Sequence, residues 1–203
     1  PSEDPIEAMF FIALAATTGS RLAIKNAPID FLAIELAQLG KMGLRYNASV
    51  PAYGENGRVR LVDLVVEPSE LTAPVDKIAP LPYPGLNIDN LPFFVPIATR
   101  AHGRTLIHDW VYENRAIYYT EMNKLGADVV LADPHRVFVS GVRNFHPADI
   151  EAPPALRPAT ILLIGMLAAE GESHLHNVYP INRGYENLHE RLRTLGAKIE
   201  AYE

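Results

Sequence analysis

Six glycines divide this chain into three similar stretches, and no other feature restricts its fold as strongly. Gly19 in TTGSRLAI, Gly103 in AHGRTLIH and Gly171 in AEGESHLH each close an apolar run. A second glycine follows 23 to 25 residues later: Gly43 in KMGLRY, Gly126 in KLGADVV and Gly196 in TLGAKIE. Agreement at both glycines in three places is hard to obtain by chance, so the chain reads as three copies of one unit.

Each unit has the same internal order. The runs Ile6 to Ala16, Leu91 to Ala101 and Ala159 to Ala169 are apolar on nearly every face, which predicts buried helices with the glycine at the C-cap. Segments with strand propensity follow at Leu22 to Lys25, Thr105 to Asp109 and His174 to Val178. Amphipathic helices are expected over Asp30 to Leu39, Asn114 to Leu125 and Tyr185 to Leu195; in the last, Leu188, Leu192 and Leu195 form one stripe. Strands are expected over Leu44 to Ala48, Ala127 to Leu131 and Ala197 to Ala201, with a further one at Val59 to Val65 and Arg136 to Val142. The fold class is therefore α/β, an α-β-α-β-β unit used three times (residues about 4–66, 87–145 and 155–203) in one domain of 203 residues.

The third unit stops without a final strand. The resulting unpaired edge is expected to be completed by another part of a longer chain or by a partner. The proline-rich stretches 67–85 and 146–158 read as stiff connecting loops.

Composition narrows the function. A net charge of −6 argues against nucleic acid or an anionic membrane as the main partner. The absence of cysteine excludes disulfides, thiolate chemistry and cysteine-type zinc sites. No apolar run reaches the ~20 residues of a bilayer span. The acidic start PSEDPIEA has no basic n-region, so a cytoplasmic protein is expected, although Pro1 is not an initiator methionine.

Repeat equivalence also sorts the charges. Counting from the first glycine, position −14 is Pro5, Asp89 and Arg157, and position +12 is Phe31, Arg115 and Arg183. Units two and three thus carry charge at both positions, near expected helix starts where backbone N–H groups favour anions. Three arginines and one carboxylate would make an anion pocket with a proton acceptor beside it, because the guanidinium fork grips carboxylate and phosphate bidentately. Asp89 as a helix N-cap is an equal alternative. His174 and His176 share a strand face but lack an evident third metal ligand. Trp110, Tyr112 and Tyr118 read as packing residues.

These residues give the sequence a resemblance to the enolpyruvyl transferase family. It rests on Asp4-Pro5-Ile6-Glu7-Ala8, Pro82-Tyr83-Pro84-Gly85 through Asp89, Glu113-Asn114-Arg115, Leu156-Arg157, Ala169-Glu170-Gly171 and Arg183-Gly184-Tyr185-Glu186. The Glu-Asn-Arg and Arg-Gly-Tyr-Glu pair is similar to the branch that moves the enolpyruvyl group of phosphoenolpyruvate to the 3-hydroxyl of UDP-N-acetylglucosamine in peptidoglycan synthesis. The resemblance implies an inside-out α/β barrel with helices buried and sheets outside, and it covers only the second, C-terminal domain of a two-domain enzyme. It makes Asp89 the general base at the sugar hydroxyl. Arg115, Arg157 and Arg183 become ligands of phosphoenolpyruvate, and Arg183 also stabilises charge during the reaction. No metal or organic cofactor is implied. The absent first domain would supply a lysine, further arginines and a loop Cys or Asp, so this chain alone is expected not to turn over.

The family usually has Arg at Pro5, Thr at Ile88, Asp at Ala155, and His and Asp at Pro180 and Asn182. Those departures keep two other readings open: a non-catalytic paralogue that binds an anion, or a transferase with a different acceptor.

Overall fold

The computed structural model describes residues 3–55 and 57–202; the first two residues of the acidic start and the terminal Glu203 lie outside them. Unit one runs α1 (Pro5–Thr18), β1 (Leu22–Pro28), a 3-10 turn (Ile29–Phe31) leading into α2 (Ala33–Lys41), β2 (Arg45–Ala48), β3 (Ala52–Tyr53) and β4 (Arg60–Glu67). After β5 (Leu71–Thr72), unit two has a 3-10 turn (Leu91–Phe93), α3 (Phe94–Arg100), β6 (Ala101–His102), β7 (Arg104–His108), a 3-10 helix (Ala116–Leu125), β8 (Asp128–Asp133) and β9 (Arg136–Ser140). After β10 (Asp149–Glu151), unit three has α4 (Leu156–Leu167), β11 (His174–His176), α5 (Tyr179–Gly184) and α6 (Leu188–Thr194).

The inner layer is made of α1, α3 and α4. Every residue of α1 from Ala8 to Thr17 is buried, as an all-apolar helix requires. Asp4 Oδ1 accepts from the Ile6 N–H at 2.8 Å, Pro5 opens the helix, and Gly19 closes it with φ at 66°. All six repeat glycines have positive φ, which explains why glycine marks both joints of each unit. Phe10 of α1 lies 6.2 Å from Phe93 and 5.4 Å from Tyr185, so the three units meet at the first half of α1.

The sheets lie outside this layer, giving an inside-out α/β barrel. In units one and two the last strand takes the centre: β1-β4-β2 and β7-β9-β8, all antiparallel. The registers repeat as well, since Leu22 and Tyr46 both oppose Val66, and Leu106 and Val130 both oppose Phe138. The connecting stretches carry more structure than stiff loops. Strand β5 pairs in parallel with β6, and β10 with β11. Ile78 accepts from the His108 N–H at 2.9 Å and donates to the Leu106 carbonyl at 2.8 Å, so the connector satisfies the free edge of β7.

Unit three corrects two expectations. No strand forms over Ala197 to Ala201. In the other units the matching strand pairs with the central β4 or β9, and no such strand forms among the described residues of unit three. The helix expected over Tyr185 to Leu195 is shortened to α6, and a separate helix, α5, precedes it. Pro180 starts a helix early, and Asn187, in the left-handed region at φ 46°, separates the two. In unit two the second helix has 3-10 geometry along its whole length.

One close approach tests this architecture. A methyl on Gly141 would stand 1.6 Å from the Ala101 carbonyl oxygen and 2.7 Å from that of Ala98. Gly141→Ala is therefore expected to cost about 1–3 kcal/mol of stability by overpacking. A chemical-denaturation midpoint equal to that of the unchanged chain would show that β9 and α3 do not approach this closely.

Candidate active site

Asp89 sits in the turn Asn87–Asn90, one residue before the cap position of the Leu91–Phe93 turn. It is not an N-cap: its own N–H is bound by Asn87 Oδ1 at 2.8 Å, and its carboxylate has no donor partner among the described residues. The side chain is half-buried. The turn around it is tied down on two sides. Glu35 Oε1 accepts from the Asn87 N–H at 3.0 Å and from Asn90 Nδ2 at 2.9 Å. From the other side, Arg115 Nη2 donates to the Ile88 carbonyl at 3.0 Å.

Arg115 is buried, and much of its hydrogen-bonding capacity is already used. Asp109, fully buried at the end of β7, accepts from its Nε at 2.5 Å and its Nη2 at 3.0 Å. The Tyr119 hydroxyl also donates to Asp109. Burial pushes the Tyr119 phenol well above its ordinary value, so it stays a neutral donor. The Tyr112 ring lies 4.4 Å from the guanidinium carbon of Arg115, so Tyr112 stacks on a cation rather than packing in the core.

Arg157 stands in the first turn of α4, as expected, with Nη1 donating to the Tyr185 hydroxyl at 3.2 Å. Burial pushes that phenol up to about 12, and Arg157 pulls against the rise. Arg183 is placed differently from the expectation. It lies in the last turn of α5, where a cation suits the helix dipole, and not ahead of a helix start. It is exposed and makes no ion pair among the described residues. A Cβ on Gly184 would fall 2.3 Å from Leu156 Cδ2, so the end of α5 is pressed against the start of α4. Asp89 and Arg115 thus form one connected group and Arg157 and Arg183 a second; Phe10 touches Phe93 in the first neighbourhood and Tyr185 in the second.

These residues supply an unpaired carboxylate on a restrained turn, one tethered guanidinium, one half-buried guanidinium and one exposed guanidinium over the Tyr179 ring. A guanidinium fork can grip carboxylate or phosphate, and an unpaired carboxylate can accept a proton. No group of three or more metal-ligating side chains exists among the described residues. His176 turns to Asp149 at 2.8 Å, and His174 to Glu172 at 3.7 Å. A groove of about 400 Å³ runs beside Ile88, walled by Phe31, Ile34, Leu81, Tyr83 and Trp110.

Glu35 and Asp109 were absent from the sequence reading. Glu35 had a signal, because Leu32, Glu35, Leu36 and Leu39 occupy one helical stripe and a carboxylate on a buried stripe needs partners. Asp109 had only its place at a strand end.

Residues 2–192 match the family model described as EPSP synthase (3-phosphoshikimate 1-carboxyvinyltransferase). The UDP-N-acetylglucosamine 1-carboxyvinyltransferase of Porphyromonas gingivalis is 34% identical over 198 residues, 97% of this chain and 45% of that protein. The enzyme of the same name from Campylobacter lari is 32% identical over 98% of this chain and 44% of its own length. The chain spans less than half the length of these relatives. Among solved structures, the enolpyruvyl transferase NikO from Streptomyces tendae superposes with a TM-score of 0.83 at 28% identity, over 98% of this chain and 44% of NikO. EPSP synthase from Acinetobacter baumannii shares the fold with a TM-score of 0.82 at 20% identity. No described helix is long and apolar enough to cross a membrane.

Proposed function

The chain belongs to the EPSP synthase family, and on that premise we propose that it forms the C-terminal half of an enolpyruvyl transferase whose acceptor is UDP-N-acetylglucosamine. The other half of the active site comes from an N-terminal domain, and residues 1–203 alone do not turn over. The observation that carries this reading is the Asp89 carboxylate, left without a partner on a turn that Arg115 and Glu35 hold still.

In this reading Asp89 takes the proton of the acceptor 3-hydroxyl as that oxygen bonds to C2 of phosphoenolpyruvate, while C3 gains a proton from an acid of the N-terminal domain. The tetrahedral adduct then loses phosphate, and returns a C3 proton to that group's conjugate base, to leave the enol ether. Arg157, Arg183 and the unused edge of Arg115 hold the carboxylate and phosphate and stabilise charge as phosphate departs. Relatives named for this reaction, together with the arginine grouping, support it. A second reading, a different acceptor, draws on Ile88, whose side chain lines the aromatic groove beside Asp89.

The test is phosphate release by the complete natural polypeptide from phosphoenolpyruvate with UDP-N-acetylglucosamine, run beside other nucleotide sugars. Release with another acceptor alone selects the second reading, and release with none overturns both. In the same assay Arg157→Ala and Arg183→Ala are each expected to raise KM for phosphoenolpyruvate roughly tenfold or more, the worth of a charged hydrogen bond. Unchanged KM in both variants would remove the anion pocket.

A further inference from the structure

We propose that Glu35, on the second helix of unit one, is a positioning residue that fixes the direction of the Asp89 carboxylate. The proposal rests on the assignment of Asp89 as the proton acceptor. Unit one offers no charge at either repeat-equivalent position, where Pro5 and Phe31 stand, so its own contribution to the site is not evident from the repeat. Glu35 supplies one indirectly.

The carboxylate is buried, with 1% of the residue exposed, and one oxygen receives two hydrogen bonds from the turn. Those bonds hold the first and last residues of Asn87–Asn90. Asn87 Oδ1 binds the Asp89 N–H, and Arg115 binds the Ile88 carbonyl. The ends, the middle carbonyl and the Asp89 amide of this turn are therefore all restrained, while the Asp89 side chain alone is free. A buried carboxylate is a costly way to fasten a surface turn, and a purely structural turn could be fastened by backbone bonds. The cost is understandable if the turn carries a group whose aim matters, since small displacements of a reacting group lower rates steeply.

Removing Glu35 should therefore affect the chemical step and leave anion binding intact. In the complete natural polypeptide, Glu35→Ala is expected to lower kcat on the order of 10- to 100-fold, with KM for phosphoenolpyruvate nearly unchanged. Glu35→Gln keeps an oxygen that accepts from both donors, so most of the lost turnover should return. Wild-type kcat in Glu35→Ala overturns the positioning role, as does a rise in KM at constant kcat. Should Glu35→Ala fail to fold, Asn90→Ala removes one of the two bonds together with a buried carbonyl oxygen that has no partner. It is expected to give a smaller fall in kcat at constant KM, and full turnover there overturns the proposal. Asp89→Ala, measured alongside, separates the two claims. Full turnover in Asp89→Ala defeats the assignment of the base, whereas full turnover in Glu35→Ala with an inactive Asp89→Ala defeats only the positioning role.

Discussion

Asp89→Asn in the complete polypeptide is expected to lower kcat by roughly 10²- to 10⁴-fold, the range for losing a positioned general base. Asparagine keeps the shape and can still take part in hydrogen bonds, but it has no basic oxygen for the hydroxyl proton. The loss should fall on kcat. Arg157 donates to the Tyr185 hydroxyl and Arg183 lies over the Tyr179 ring, partners that do not belong to the Asn87–Asn90 turn, so phosphoenolpyruvate binding should persist. Stability should change by no more than about 0.5 kcal/mol, because the carboxylate has no partner to lose among the described residues. That contrast is the decisive part of the measurement. A variant that loses turnover and also several degrees of melting temperature would mean that Asp89 serves the turn, and the base would have to be sought elsewhere. A variant with full turnover would end the assignment outright.

The fold was readable in this sequence wherever local signals and tertiary packing agree. The six glycines marked positions that need positive φ, and the runs without a polar face marked α1, α3 and α4 as interior helices. Readability failed where an element depends on a distant partner. The segment Ala197 to Ala201 has the composition of a strand, but a strand needs a neighbour, and no described residue of unit three forms the equivalent of β4 or β9. Connectors rich in proline hid β5 and β10, because parallel pairing leaves little alternation in so short a segment. Pro180 moved a helix start by several residues and carried Arg183 from the expected beginning of one helix to the end of another.

For the site, repeat equivalence singled out Asp89, Arg115, Arg157 and Arg183 as charges at corresponding places in units two and three, although Arg183 ends a helix rather than starting one. It gave no information about what holds them. In the sequence the three arginines look alike, whereas Arg115 is committed to Asp109 and the Ile88 carbonyl, and Arg183 only lies over the Tyr179 ring, 6.0 Å from its centre. A pairing between residues six apart across a strand end and a 3-10 helix has no periodic signature, which is why Asp109 was passed over.

That pairing also leads to the largest expected effect on stability. Asp109→Ala removes the carboxylate that holds Arg115 and accepts from Tyr119, leaving a guanidinium and a phenol without that partner in a region from which water is excluded. Breaking one side of such a buried pair costs about 3–5 kcal/mol. For a chain of this size that is a fall in melting temperature on the order of 10 °C. Asp109→Asn should fall between, since its amide oxygen can still accept one of the bonds. The pair itself need not be stabilising, because two buried charges forfeit their hydration. Asp109→Leu with Arg115→Met is therefore expected to recover most of what Asp109→Ala loses. If Asp109→Ala instead melts with the unchanged chain, the ion pair is not buried as described. The double replacement also separates stability from function. Its core would be restored, yet the Ile88 carbonyl would have lost its donor, and beyond its own internal bonds the Asn87–Asn90 turn would keep only Glu35. Turnover should then stay low in a protein that is fully folded, because the same guanidinium that closes the core beneath Tyr112 also fixes the residue next to Asp89.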